Sequence, residues 1–218
     1  MNLFVSLFSF AEPLSSYFRP LIRPAAKFVS LLCLLTATLD VASAAIESVA
    51  ALPDDPSCTA DDRKYMVRAY ELAAIASANG NGAYGALVVK DGKVLMEFSN
   101  NARTSGNVTH HGETGLVSLT SIRLGLTSME GCTFYTSTEP CIMCCGAIRG
   151  AKVARLVYGT TAIQVGRLRG RQAPANPLQV REVFERAGTT PVTIAGPLME
   201  KEGLAVHAAA FAKLETKS

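Results

Sequence analysis

The chain has 218 residues, 49% of them apolar, and a formal charge of +3. That length holds one domain with extra segments, and the apolar content is enough for a sizeable core. A balance this near neutral implies no broad basic surface of the kind that nucleic-acid phosphates demand, so a small substrate fits better than a nucleic acid.

Residues 1–44 read as a targeting segment. Arg19, Arg23 and Lys27 precede the apolar run Phe28–Leu39, and Ala42-Ser43-Ala44 forms a small-x-small cleavage site. The run falls short of the about 20 residues that span a bilayer, so processing leaves no membrane span. The expected destination is the periplasm or the exterior; an organelle, or the cytoplasm from a later start codon, are the alternatives. Residues 45–58 hold Pro53, Pro56 and two aspartates and read as a linker to a domain over 59–218.

Thr59–Ala78 reads as the first helix. Thr59 and Asp62 form a capping box, and Asn79-Gly80-Asn81-Gly82 stops the helix. Ala86–Lys90 and Val94–Phe98 flank Asp91-Gly92 as an antiparallel hairpin. A polar loop, Ser99–Thr109, leads to a helix that opens at His111 and ends near Gly125. Strand Thr133–Thr136, helix Cys141–Arg149 and strand Val153–Tyr158 follow. Gly159–Pro177 reads as a loop containing Arg167, Arg169 and Arg171, which default to solvent, with phosphate contact the sharper alternative. A helix over Pro177–Ala187, a strand over Pro191–Ala195 and a helix over Glu200–Leu214 complete the chain. His207 lies in an apolar stretch of that last helix and reads as a packing residue. The alternation implies an α/β fold, a mixed five-stranded sheet with helices on both faces.

Two short segments carry the chemistry. Thr138-Glu139-Pro140-Cys141-Ile142-Met143-Cys144 places two thiols three residues apart at a helix start, where free N–H groups favour thiolates. Cys58, Cys132 and Cys145 bring the cysteines after the leader to an odd number, and the clustering at 141–145 suits a metal better than a disulfide framework. His111-Gly112-Glu113 adds an imidazole and a carboxylate about thirty residues upstream. His111, Cys141 and Cys144 can bind one zinc ion and leave a fourth position for water. Glu113 is offset on the helix, near the metal without binding it, and is the candidate proton carrier.

The pattern H-x-E…P-C-x-x-C is the signature of zinc nucleobase deaminases. With Ala83-Tyr84-Gly85-Ala86, Gly131–Thr136, Cys145-Gly146-Ala147-Ile148 and Val157-Tyr158-Gly159, the chain resembles the cytidine/deoxycytidylate deaminase superfamily over roughly residues 60–160. The resemblance implies a three-layer α-β-α sandwich and one zinc per subunit at His111, Cys141 and Cys144, with Glu113 as proton shuttle. It further implies a substrate-binding asparagine at Asn101, with Asn100 the competing choice, and pocket walls from the backbone of Glu139 and Pro140. The family often has Ala where this chain has Gly112, which reads as a hint about substrate. The implied partners are a small nucleobase or nucleoside substrate and a second copy of the chain, as a homodimer. The implied reaction is hydrolytic deamination of guanine, cytosine or a related base or nucleoside. A tRNA-specific adenosine deaminase and a non-catalytic zinc module are the alternatives; loss of the Glu would mark the latter, and Glu113 is present.

Overall fold

Helix α1 (Ala60–Ala78) opens on the expected capping box. Thr59 Oγ1 accepts from the Asp62 N–H at 3.2 Å, and the Asp62 carboxylate accepts from the Thr59 N–H at 2.7 Å. The computed structural model of the protein describes residues 49–171, 178–188 and 191–215. The expected leader and Pro177 lie outside the described residues. No helix among the described residues is long and apolar enough to cross a membrane.

Strands β1 (Gly85–Lys90) and β2 (Lys93–Ser99) form the hairpin. It turns on Asp91 and Gly92, both at positive φ (50° and 72°), as a type I′ turn requires. Next come α2 (Ala102–Ser105), α3 (Gly112–Leu124), β3 (Thr133–Thr138), α4 (Ile142–Gly150) and β4 (Arg155–Thr160). Helices α5 (Ala162–Leu168) and α6 (Val180–Ala187), strand β5 (Thr193–Ala195) and helix α7 (Glu200–Glu215) follow. The sheet order is β2-β1-β3-β4-β5; β1 is antiparallel to both neighbours, and β3, β4 and β5 are parallel.

The strand period of two divides the core between the two faces. Ala86, Val88, Phe134, Leu156 and Tyr158 point to one side, where Leu116 of α3, Cys145 and Ile148 of α4 and Val180 of α6 cover them. Leu87, Tyr135 and Val157 point to the other, against Met66, Ala69 and Tyr70 of α1 and Leu198 before α7. The result is the expected three-layer sandwich on a mixed five-stranded sheet.

Two segments expected to be loops contain helices. The short α2 lies within 99–109. Helix α5 lies within 159–177, capped by Thr161, whose Oγ1 accepts from the Gln164 N–H at 3.3 Å. The described part of the expected linker is tied down. Asp54 accepts from the Met199 N–H at 2.7 Å, and Asp55 accepts from the Gly196 N–H at 3.1 Å and pairs with Arg181 at 2.6 Å. Buried Glu200 takes the N–H groups of Leu52 and Thr161 on its two oxygens, so one carboxylate joins this segment, α5 and α7.

Asp62 does more than cap α1. It is 2% exposed, accepts from Tyr135 Oη at 2.7 Å, and receives both Arg155 amino groups at 2.6 and 2.8 Å. Burial raises its carboxyl, but hydrogen bonds led by that of Arg155 outweigh burial and hold it down to about 2. A depressed folded value means its contribution is complete above the unfolded value of about 3.9 and is lost as pH falls through 2. Arg155→Ala strands the buried charge and should cost about 3 kcal/mol at neutral pH, read as a lower denaturation midpoint. The gap from wild type should narrow as pH falls from about 4 towards 2; an unchanged midpoint at neutral pH would show that the pair does not bind the layers together.

Candidate active site

His111 and Cys141 occupy equivalent places. Each is the N-cap of its helix, α3 and α4, in extended conformation (ψ 165° and 167°), and neither side chain caps its own helix. Both side chains are therefore free to point at a common centre. Cys144 joins them from the first turn of α4. Because α3 packs on α4, the three donor atoms converge: Cys141 Sγ lies 3.5 Å from Cys144 Sγ and 3.7 Å from His111 Nδ1, and Cys144 Sγ lies 3.6 Å from that nitrogen. Tetrahedral zinc, with bonds of about 2.3 Å to sulfur and about 2.0–2.1 Å to nitrogen, would set these edges at about 3.8 Å between sulfurs and about 3.6 Å between sulfur and nitrogen. The donor set fits that ion. Hydrogen bonding with Cys144, and after it with His111, holds the Cys141 thiol down to about 4, which favours its anionic form.

Glu113, in the first turn of α3, is buried, and burial raises its carboxyl above the ordinary range. Thr136 Oγ1 donates to its Oε1 at 3.0 Å, and the Cys144 thiol donates to Oε2 at 3.4 Å. Gly112 has a packing role here. A Cβ there would sit 3.3 Å from backbone atoms of Gly85 and Tyr84, so the missing side chain lets α3 lie close over β1.

His111, Glu113 and Cys141 open onto a cavity of about 370 Å³, whose wall includes Tyr84, Thr138, Glu139, Arg169 and Arg171. Cys144 is buried behind them, so the open side of the donor triangle faces the cavity. Glu139 is fastened there: its oxygens accept from the N–H groups of Val180 at 2.9 Å and Ala162 at 3.1 Å. Pro140 is buried, and its carbonyl accepts from the Cys145 thiol at 3.4 Å, which accounts for that cysteine by packing. The two asparagines are otherwise engaged. Asn101 Oδ1 lies 3.2 Å from His110 Nδ1, while buried Asn100 donates to the Gly82 carbonyl at 2.9 Å and accepts from the Ala102 N–H at 3.2 Å. Neither is among the described wall residues.

Sequence reasoning missed part of this wall. Ala162, Val165 and Gly166 come from the unexpected α5; the Thr161-x-x-Gln164 pattern was the available signal. Thr138 is held from behind by His207, whose Nε2 is 2.9 Å from Thr138 Oγ1. Burial, with the nearby Arg169 charge adding to it, holds that imidazole down to about 3 and hence neutral.

Comparison with known proteins agrees with this geometry. Residues 59–160 match the cytidine and deoxycytidylate deaminase zinc-binding region. A probable cytosine deaminase of Schizosaccharomyces pombe is 30% identical over 148 residues, covering 67% of this chain and 90% of the yeast protein. The guanine deaminase of Bacillus subtilis is 37% identical over 106 residues, 47% of this chain and 68% of that one. Among solved structures, a chain from a study of A-to-I editing by tRNA:A34 deaminases superposes with a TM-score of 0.57 at 25% identity, covering 66% of this chain and 99% of that one. With its His/Cys/Cys centre beside a buried glutamate, on the sheet that such proteins share, the chain belongs to the zinc-dependent cytidine and deoxycytidylate deaminase superfamily.

Proposed function

We propose that the protein hydrolytically deaminates a nucleobase or nucleoside, releasing ammonia, with guanine, cytosine and close relatives as the leading substrates. The observation that carries this reading is the position of Glu113: buried, raised by burial, and beside the open side of the donor triangle. A zinc ion held by His111, Cys141 and Cys144 would supply a Lewis-acid centre with a fourth position for water. Thr136 fixes one Glu113 oxygen; the other, which meets the Cys144 thiol at 3.4 Å, would be released to carry protons once Cys144 binds the ion as a thiolate. That second oxygen moves a proton from the water to the ring nitrogen beside the reacting carbon, and then to the departing amine. The water oxygen ends on the ring carbon, the C–N bond breaks, and ammonia leaves. Tyr84, Thr138 and the backbone of Glu139 and Pro140 border the ring, and Asn101 joins them by exchanging His110 for the ligand. The relatives acting on cytosine and guanine support a small substrate, as does a near-neutral surface.

We also infer a homodimer, since exposed Val108, Ile142 and Met143 leave apolar surface beside the starts of α3 and α4. Sedimentation should return a dimer mass.

Wild type should release ammonia from at least one member of a base and nucleoside panel, and Glu113→Ala should slow this by about 10²–10⁴-fold while retaining its metal. Release from no base, nucleoside or tRNA by the zinc-loaded protein would rule out the deaminase reading, and full activity in Glu113→Ala would rule out the proton-carrying role. Metal analysis should find one zinc per chain in wild type and in Cys145→Ala, and a loss in Cys144→Ala or His111→Ala. Equal zinc in all four would place the ion elsewhere.

A further inference from the structure

Among the described residues, one enclosed side-chain nitrogen or oxygen lacks a hydrogen-bond partner, and it is His207 Nδ1. The ring is 2% exposed and packs on two aromatic neighbours, its centroid 5.4 Å from that of Tyr84 and 5.8 Å from that of Phe211. The other nitrogen, Nε2, lies 2.9 Å from Thr138 Oγ1. Burial keeps the ring neutral, so one nitrogen carries a proton and the other a bare lone pair. A proton on Nδ1 would bury an N–H with nothing to receive it. Folded proteins rarely orphan a buried N–H and more often leave an acceptor under-used. The proton therefore belongs on Nε2, which donates to Thr138 Oγ1.

Thr138 ends β3 and belongs to the cavity wall. Its backbone is already held: it registers with Thr160 across the sheet, and its carbonyl accepts from Thr136 Oγ1 at 3.1 Å. What remains free is the hydroxyl. Once Oγ1 accepts from His207, its own proton needs an acceptor, and among the described residues that hydroxyl has no other partner. We infer that Thr138 determines specificity by donating its hydroxyl proton to a ring carbonyl oxygen of the substrate, and that His207 is the positioning residue that holds the hydroxyl in that sense from behind. This rests on the deaminase reading and names the feature that its cavity selects. Guanine and cytosine each carry an amino carbon and a carbonyl carbon on either side of one ring nitrogen; adenine has no carbonyl. A wall residue that must donate is left unpaired by a ligand without that oxygen, which is how a polar site discriminates.

Nitrogen NMR of histidine-labelled, zinc-loaded wild type tests the tautomer without any variant, with three histidines in the chain to resolve. The His207 signals should show a protonated Nε2 and a bare Nδ1; the reverse would overturn the inference. Kinetics test the contact on the best substrate of the base and nucleoside panel. A bond that bound substrate and transition state make alike raises KM and spares kcat. Thr138→Val should therefore raise KM about three- to tenfold with kcat within about twofold, and Thr138→Ser should restore it. His207→Phe should also raise KM, and His207→Gln, which keeps an N–H donor, should bring it back. The double variant Thr138→Val/His207→Phe should be no worse than Thr138→Val, because the histidine acts through the threonine. With the thio analogue of the substrate, sulfur replacing the carbonyl oxygen as a poor acceptor, Thr138→Val should cost nothing. An unchanged KM in Thr138→Val, an equal cost on the thio analogue, or a double variant worse than either single one would overturn the inference, while ammonia release by wild type keeps the deaminase reading. Ammonia from no compound in wild type would remove the deaminase reading and this substrate contact with it.

Discussion

The distance between His111 and Cys141 is set by an approach of backbone to backbone. Gly112 at the start of α3 lies over Gly85 at the start of β1, so closely that a methyl group would have to press on the strand. Gly85 in turn donates its N–H to Ser137 Oγ at 3.1 Å, and Ser137 is four residues before Cys141. Two glycines and one serine thus hold the α3 start against the end of β3, from which α4 departs. Separations of 3.5 to 3.7 Å among three side chains from two helices depend on this fit. Layer packing alone leaves helices free to slide by more than that.

The far wall is secured by a different device. Helix α7 returns across the sheet, and its buried polar groups reach towards the cavity without entering it. Glu200 gathers Thr161 and Leu52, and His207 steadies Thr138. His207 Nδ1 has no hydrogen-bond partner among the described residues, and burial keeps the ring uncharged, so its Nε2 acts as a neutral strut. Phe211, one turn on, carries the guanidinium of Arg169. A helix that supplies no metal ligand therefore fixes the position of two wall residues, Thr138 and Arg169.

Much of this was legible locally. The capping box at Thr59 and Asp62, the Asp91-Gly92 turn and the metal motif each declare themselves within a few residues. What escaped depends on partners distant in the chain. The proline- and aspartate-bearing stretch before Cys58 reads as a linker because nothing nearby shows that Asp54 meets Met199 or that Asp55 meets Arg181. Helix α5 was hidden by the glycines and arginines around it, although Thr161 and Gln164 mark its start. Asp62 reads as a cap; its ties to Tyr135 and Arg155, 73 and 93 residues away, leave no local trace.

The N-cap positions of α3 and α4 also bear on how the protein holds its shape. Serine, threonine, aspartate or asparagine there would stabilise each helix by about 1 kcal/mol; a histidine and a cysteine give that up. A shared ion linking both caps restores the loss in one step and binds the two helix starts to each other. Metal binding at such a place is local folding free energy as much as catalysis. Without the ion, the first turns of both helices lose that link, and amide hydrogen exchange there would report metallation more directly than the melting of the whole.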